Sequence, residues 1–347
     1  MWLWNKASDV PDLPSVIRKQ TETFMEQNSV KEFSGFIGGS SNKDRAAIIL
    51  AGGEGTRLRS LTNLISGDDR PKQFCPILDG RTLLDITRER VERSFELDDI
   101  YFSLTEKHDN FFNRPLWSVK PENKVIQPDN KGTAAAILYS VMKVASERPD
   151  ATIAIFPSDH YFSDDTAFME HVETAITSVG HEPNAVALLG IEPDKPEASY
   201  GWIEPSDSLF GSLRGSTARV KQFWEKPSPR VAKKLMSTGC LWNSFVMIGK
   251  ASAFIEMFRE HLPPLFRMFS AASRYFGKPN EAAIVRSIYS WIEDANFSSE
   301  VLERSCDRLL VTRVSGVSWS DLGEPQRVLG TLNKLGVQTE WMRALAA

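Results

Sequence analysis

The residues best suited to chemistry in this chain form a glycine-rich loop directly after an apolar run. Residues 48–58 read IILAGGEGTRL, so Gly52, Gly53 and Gly55 stand at the end of a predicted buried strand. Glycines let backbone N–H groups turn inward and approach a phosphate closely. Arg57 adds a guanidinium that can grip phosphate oxygens through two parallel hydrogen bonds. The stretch therefore predicts an anion-binding loop.

Two common phosphate-binding loops do not fit these residues. A P-loop needs GxxxxGK[ST], and no lysine stands at the required place. A dinucleotide fingerprint needs GxGxxG, but Leu58 replaces the third glycine, and residues 60–70, SLTNLISGDDR, are predicted to be a loop rather than a helix. Farther along, Lys72 in the segment PKQF supplies a second cation near the same strand end. A longer phosphate loop with two cations is the interpretation that remains.

The elements that must position this loop alternate between short apolar runs and helix-like segments. The predicted strands are Ala46–Ala51, Ile100–Leu104, Lys124–Gln127, Thr152–Phe156, Ala185–Gly190, Arg219–Trp224, Ser244–Ile248 and Arg308–Val314. The predicted helices are Thr82–Phe95, Thr133–Ser146, Thr166–Val179 and Ser228–Ser237, followed by a helix-rich region over residues 251–305. Such alternation is typical of right-handed βαβ units. The predicted fold class is α/β, with a Rossmann-like, mainly parallel sheet flanked by helices.

The bulk composition argues against several classes of function. Of the 347 residues, 41% are hydrophobic and 25% are charged, as in an ordinary soluble globular protein. The net charge of −4 provides no general basic field, so we expect no nucleic-acid partner. No apolar run approaches the roughly 18 residues that span a membrane, so no membrane partner is expected. Cys75, Cys240 and Cys306 form no CxxC pair and indicate reduced thiols in the cytoplasm.

Further motifs follow the loop in an order and spacing typical of one family. They are QPDNKGTA at residues 127–134, FPSDH at 156–160, SYGWI at 199–203, EKP at 225–227, LWNS at 241–244 and WSDLG at 319–323. With GGxGTRL and PKQF, these segments resemble the nucleotide-diphospho-sugar pyrophosphorylases, more closely the bacterial mannose-1-phosphate guanylyltransferases. The resemblance covers about residues 45–325. It implies a GT-A-like fold, and the chain is expected to lack the C-terminal β-helix of longer relatives.

Two positions depart from the guanylyltransferase pattern. Residues 59–62, RSLT, follow the loop where a tryptophan and a proline are usual, and RxLT is nearer to thymidylyl- and adenylyltransferase relatives. Phe245 follows WNS where a glycine is common. The first departure leaves the nucleotide base open.

The resemblance implies nucleotidyl transfer. A sugar 1-phosphate oxygen would attack the α-phosphorus of a nucleoside triphosphate, and pyrophosphate would leave. The implied substrates are GTP and mannose 1-phosphate, and the implied product is GDP-mannose. By analogy with other phosphoryl transfers, this reaction calls for Mg²⁺ and cationic side chains. A homodimer is compatible with the resemblance.

The resemblance also implies roles for residues of this sequence. The implied catalytic residues are Arg57, Lys72 and Asp159. The implied metal ligands are Asp159 and Asp321, although each could instead cap a turn or a helix. The implied nucleotide-binding residues are Leu50, Ala51, Gly52, Gly53, Gly55, Thr56, Gln127, Asn130, Gly132 and Thr133, among which Asn130 could instead be a helix cap. The implied sugar-phosphate-binding residues are Gly201, Glu225, Lys226 and Asn243.

Three regions and two alternative functions complete the prediction. Residues 1–44 are predicted to form an N-terminal helical extension and linker, either packed on the main domain or acting as a partner-binding arm. Residues 45–330 are the predicted nucleotidyltransferase domain, and residues 331–347 a C-terminal tail. One alternative is a nucleotidyltransferase of other specificity, such as a glucose-1-phosphate thymidylyltransferase. The other is an inactive regulatory protein that binds nucleotide sugars.

Overall fold

The structure is a computed structural model that describes residues 44–78, 80–206, 217–339 and 341–343. The predicted N-terminal helix and linker lie outside these residues, except for Asp44. Strands β1 to β11 are, in chain order, Arg45–Leu50, Ile100–Thr105, Lys124–Gln127, Thr152–Pro157, Tyr161–Phe162, Val186–Ile191, Trp202–Pro205, Thr217–Trp224, Leu241–Lys250, Leu309–Val314 and Trp319–Ser320. All eight predicted strands are present within a few residues of their predicted bounds. The short strands β5, β7 and β11 were not predicted.

Within the described residues, nine strands form one sheet in the order β3-β2-β1-β4-β9-β6-β10-β8-β7. Strands β3, β2, β1 and β4 pair in parallel, and β6 pairs in parallel with β10. Strand β9 runs antiparallel between β4 and β6. The strands at the centre read as continuous apolar runs because both faces of the sheet are covered. The predicted α/β, GT-A-like fold is confirmed.

The helices cover both faces of the sheet. Helices α1 to α11 are, in chain order, Arg59–Ser66, Leu83–Val91, Asp109–Phe112, Gly132–Glu147, Asp165–His181, Pro229–Ser237, Ala251–His261, Pro263–Ala272, Glu281–Tyr289, Phe297–Glu300 and Pro325–Leu335. One core cluster joins the sheet to α4, α7, α8 and α9, and a second joins the opposite face to α2 and α5. None of the helices in the described ranges is long and apolar enough to cross a lipid bilayer.

The segment after the glycine loop differs from its prediction. Residues 60–70 were predicted to be a loop, but α1 occupies Arg59–Ser66 and ends at Gly67, whose φ of 72° forms a left-handed C-cap. Leu58 and Leu61 are buried in a third core cluster. Their burial against distant parts of the chain stabilises a helix that its serine, threonine and asparagine residues favour only weakly.

The last described helix crosses a predicted boundary. Helix α11 runs through residue 330, where the sequence suggested that the main domain ends. Val328, Leu332 and Trp341 are buried in the same third cluster as Leu58 and Leu322. This packing joins the end of the described chain to the region just after the glycine loop.

Candidate active site

The glycine loop is held by two side chains that bind its carbonyl groups. Gln73 donates from Nε2 to the carbonyls of Ala51 and Gly53, at 3.0 and 2.8 Å. Thr105 Oγ1 donates to the carbonyl of Gly52 at 2.9 Å. In a trans peptide the N–H lies opposite the C=O, so the N–H of residue 52, 53 or 54 points away from the side chain that binds the carbonyl just before it. This arrangement leaves loop N–H groups available for an anion.

Gln73 is a residue to which the sequence analysis gave no role. Its side chain is buried and spans two loop carbonyls, whereas the prediction considered only Lys72 in PKQF. The sequence signal that could have indicated this role was the position of Gln73 beside Lys72 in PKQF, a short motif near the glycine loop. Gly52 shows how tightly the loop is packed, since a Cβ there would lie 2.8 Å from Thr105 Oγ1 and 2.9 Å from Gln127 Nε2.

A cavity of about 630 Å³ lies beside this loop at the carboxyl ends of the parallel strands. The predicted site residues that line it are Leu50, Gly52, Gly53, Gln127, Asn130, Gly132, Thr133 and Asp159. Ala51 is buried beneath the loop, and Thr56 and Arg57 are exposed on its outer turn. Neither these three residues nor Gly55 line the cavity. The predicted phosphate contact of Arg57 therefore remains a prediction that needs a change in its side-chain position.

The base-recognition prediction centres on Gln127, whose amide is fixed on both sides. Tyr289 donates its hydroxyl to Gln127 Oε1 at 2.9 Å, and Gln127 Nε2 donates to Ser103 Oγ at 3.2 Å and to the Leu104 carbonyl at 3.3 Å. Burial raises the pKa of the Tyr289 hydroxyl, which keeps it protonated as a donor. The Gln127 amide is therefore held in one orientation at the wall of the cavity.

The start of α4 is covered by the segment at residues 294–297. Gly132 has a φ of 80°, and a Cβ there would lie 2.3 Å from the Ala295 carbonyl oxygen, so only glycine fits. The Thr133 hydroxyl accepts from the Phe297 N–H at 2.9 Å. Asn130 Oδ1 accepts from the Gly132 N–H at 3.1 Å and closes the turn before the helix, which is close to the capping alternative.

Lys72 connects the two predicted metal carboxylate residues. Its Nζ lies 3.0 Å from Asp159 Oδ2 and donates to the Asp321 backbone carbonyl at 2.8 Å. His160 lies beside Asp159, with 3.7 Å between Nε2 and Oδ1, and its Nδ1 lies 3.1 Å from the Ser244 carbonyl oxygen. Burial lowers the pKa of His160, against the opposing charge of Asp159. The structure thus places the Lys72 ammonium against Asp159, and Asp159 lines the cavity.

The two aspartates differ in how well they fit Mg²⁺, which prefers one or two carboxylates together with water and phosphate oxygens. Asp159 lines the cavity and its side chain is 24% exposed, so it fits this role. Asp321 does not line the cavity, and both of its carboxylate oxygens accept from Arg327, at 2.7 and 2.8 Å. Tyr200 also donates to Asp321 Oδ1 at 3.0 Å. Asp321 therefore fits the role of a metal ligand less well than Asp159 while Arg327 binds its carboxylate.

The described ranges contain no group of three or more aspartate, glutamate, histidine or cysteine residues that could form a closed metal site. An ion held by one or two carboxylates is the arrangement that these residues allow. The remaining ligands of such an ion would come from water and from phosphate oxygens.

Three of the predicted sugar residues form one cluster. The Asn243 N–H donates to the Gly201 carbonyl at 2.8 Å, and a Cβ on Gly201 would lie 3.2 Å from Glu225 Oε2. Burial raises the pKa of Glu225, against the opposing charge of Lys226. The Lys226 side chain is 60% exposed, with its Nζ 3.4 Å from Glu225 Oε1. The cluster presents the Glu225 carboxyl group, the Asn243 amide and the exposed Lys226 ammonium near the ends of three neighbouring strands.

The comparisons with known proteins agree with this fold. The sequence model of the nucleotidyl transferase family matches residues 46–336, and the chain belongs to that family. The alginate biosynthesis protein AlgA of Pseudomonas putida is 30% identical over 80% of this chain and 56% of its own length. The mannose-1-phosphate guanylyltransferase of Escherichia coli is 26% identical over 80% of this chain and 57% of its own length. The chain thus spans a little over half the length of these curated relatives.

A solved structure shows the same similarity. A crystal structure from Thermus thermophilus, described as a mannose-1-phosphate geranyltransferase, superposes with a TM-score of 0.71 at 27% identity. The match covers 85% of this chain and 80% of that chain. A glucose-1-phosphate thymidylyltransferase described as putative, from Bacillus anthracis, has a TM-score of 0.53 at 17% identity, which shows the fold alone.

Proposed function

We propose that this protein transfers a guanylyl group from GTP to mannose 1-phosphate, giving GDP-mannose and pyrophosphate. The observation that carries the proposal is the Lys72–Asp159 pair beside the cavity and the glycine loop. Family membership supports the reaction class, and the names of the relatives support the sugar and the base. The nucleoside triphosphate and the sugar 1-phosphate are the proposed partners, and the cytoplasm is the proposed location.

In the proposed reaction, a phosphate oxygen of the sugar 1-phosphate forms a bond to the α-phosphorus of GTP. The bond between the α-phosphorus and the bridging oxygen breaks, and pyrophosphate leaves with the electron pair. The protein must align these two polyanions and offset their charge, because little covalent chemistry is required of it. Loop N–H groups of residues 52–54 would bind phosphate oxygens, and the Lys72 ammonium would stabilise charge at the α-phosphate. Asp159 would hold Mg²⁺, which when bound neutralises phosphate charge.

The remaining residues would orient the substrates. The fixed amide of Gln127, which lines the cavity, would bind the base. Gly201, Glu225 and Asn243 would bind hydroxyl groups of the hexose, and the exposed Lys226 would pair with its phosphate. Arg57 would approach the triphosphate from the outer turn of the loop. These proposed roles follow the resemblance to the family, and the structure describes each of the residues concerned.

Pyrophosphate release with each pair of nucleoside triphosphate and sugar 1-phosphate tests the proposal. GTP with mannose 1-phosphate should give the highest kcat/KM in the presence of Mg²⁺. A preference for dTTP with glucose 1-phosphate would instead support a thymidylyltransferase, which RSLT at residues 59–62 mildly favours. Nucleotide-sugar binding without any turnover would support the inactive regulatory protein.

A further inference from the structure

Phe245 has a backbone conformation that large side chains rarely adopt. Its φ is 61°, in the left-handed region, although it lies in the middle of strand β9. The pairing of β9 with β6 slips between Leu188 and Gly190, opposite this residue, which marks a bulge. A bulky residue at such a φ is a true outlier, and glycine would adopt the conformation without steric cost. The presence of phenylalanine rather than glycine at this φ therefore requires a physical explanation.

The bulge is fixed by side chains on either side of it. Asn243 Oδ1 accepts from the Phe245 N–H at 3.1 Å. Ser244 Oγ donates to the Leu189 carbonyl at 2.7 Å and accepts from the Val246 N–H at 3.2 Å. These bonds involve the neighbours and the backbone of Phe245, and a glycine could form the same backbone bond. The ring itself therefore contributes something other than the shape of the bulge.

The position of Phe245 indicates what the ring contributes. The side chain is half-buried and packs against the core cluster under α7 and α8, and the residue also lines the 630 Å³ cavity. Asp159, His160 and Glu300 line the same cavity. Asn243, which belongs to the sugar cluster, is two residues away and is bonded to the same bulge. Phe245 thus shares the cavity lining with Asp159 and is bonded to Asn243 of the proposed hexose site.

We propose that the ring of Phe245 forms an apolar wall of the acceptor site, against which the hexose of the sugar 1-phosphate packs. This inference rests on the proposed function and names a specificity-determining residue within it. A pyranose has C–H groups on its ring faces, and an aromatic ring is a large, rigid surface for such groups. Strained backbone persists at sites where a side chain is needed for binding. Phe245 would thereby increase affinity for the sugar substrate.

The test uses Phe245→Ala and Phe245→Gly, with Phe266→Ala as the matched control. Phe266 is also a half-buried phenylalanine packed against the same core cluster, but it does not line the cavity. In steady-state assays, both substitutions at Phe245 should raise the KM for the sugar 1-phosphate about 10-fold, in line with the loss of an apolar contact. They should leave the KM for the nucleoside triphosphate within about twofold, and the control should change neither KM.

Thermal unfolding separately tests whether the left-handed φ at residue 245 is strained. Phe245→Gly should unfold a few degrees above Phe245→Ala, because glycine accepts the left-handed φ that alanine resists. An unchanged KM for the sugar 1-phosphate in an active variant would overturn the inference. A fall confined to kcat would also overturn it, since the bulge would then act through Ser244 and His160 rather than through the ring. If the wild-type protein turns over no sugar phosphate, the proposed function itself fails.

Discussion

Arg327 donates hydrogen bonds to both carboxylate oxygens of Asp321, at 2.7 and 2.8 Å. The side chains are 9% and 15% exposed, so the pair is largely desolvated. Arg327 also donates to Ser199 Oγ at 2.6 Å, lies 3.2 Å from Glu197, and places its guanidinium over the Tyr200 ring. The carboxylate that the resemblance implies as a metal ligand is thus neutralised by a well-anchored cation.

Arg327→Met should lower the free energy of unfolding by about 3 kcal/mol, because it leaves the buried Asp321 carboxylate without its cation. Urea unfolding measures this loss. Millimolar Mg²⁺ should restore part of the stability of the variant and change the wild type less, since the released carboxylate can then join Asp159 at the ion.

Lys120→Ala is the control, because Lys120 and Asp98 form an ion pair whose side chains are both more than half exposed. Its removal should change stability by less than about 1 kcal/mol, with or without Mg²⁺. If Mg²⁺ stabilises Arg327→Met no more than the wild type, Asp321 does not act as a metal ligand.

Gln73→Ala should weaken nucleotide binding by about 10-fold. The substitution removes the two hydrogen bonds that hold the Ala51 and Gly53 carbonyls, so the loop no longer presents its N–H groups in one orientation. Leaving these carbonyls unpaired should also cost about 1–3 kcal/mol of stability. Calorimetric titration with the nucleoside triphosphate measures the affinity, and urea unfolding measures the stability.

Gln222→Ala is the matched control, since this glutamine donates from Nε2 to the Phe223 carbonyl and does not line the cavity. It should leave the nucleotide affinity unchanged. Normal nucleotide affinity in a folded Gln73→Ala variant would contradict the role of Gln73 in shaping the loop.

Asp159→Asn should reduce kcat/KM by about 100-fold or more, while the fold is retained. The amide keeps the size of the side chain but removes the negative charge that faces Lys72 and the proposed metal ion. Steady-state kinetics and circular dichroism measure the two effects. Asp98→Asn, at an exposed ion pair, should behave as the wild type. Near-normal turnover of Asp159→Asn would show that the ion is held elsewhere.

Much of the fold was predictable because its signals are local. The run Ala46–Leu50 is apolar without interruption, and a strand buried on both faces needs nothing more to be recognised. Asp159 could be placed at a strand end for the same reason. Helix α1 could not be predicted, because Leu58 and Leu61 are buried in a core cluster that they share with α11, which is more than 250 residues away. Local propensity does not report such long-range packing.

The side-chain contacts of the site were the least predictable part. The motif around Asp321 gives no sign that Arg327, six residues later, would take both of its carboxylate oxygens. That pairing depends on how α11 lies beside Tyr200 and Ser199, which come from a distant part of the sequence. Similarly, Arg57 belongs to the loop motif, but the direction of the outer turn leaves it exposed. Motifs identify residue types, whereas the partners of those residues depend on tertiary packing.

The stability of Glu225→Gln relative to the wild type should increase from pH 4 to pH 7. Burial raises the pKa of Glu225 in the folded state, so the folded protein binds its proton more tightly than the unfolded chain does. The contribution of Glu225 to stability is therefore full below the unfolded pKa of about 4.3 and is lost as the pH rises through the raised folded value. Glutamine does not titrate and loses nothing over this range.

The difference in unfolding midpoint between variant and wild type should grow from pH 4 to pH 7, as measured by thermal melts in matched buffers. Glu204→Gln is the control, because the Glu204 carboxylate on β7 pairs with the exposed Lys221, and its difference should not grow in this way. A constant difference for Glu225→Gln would mean that its carboxylate is ionised as readily in the folded protein as in the unfolded chain.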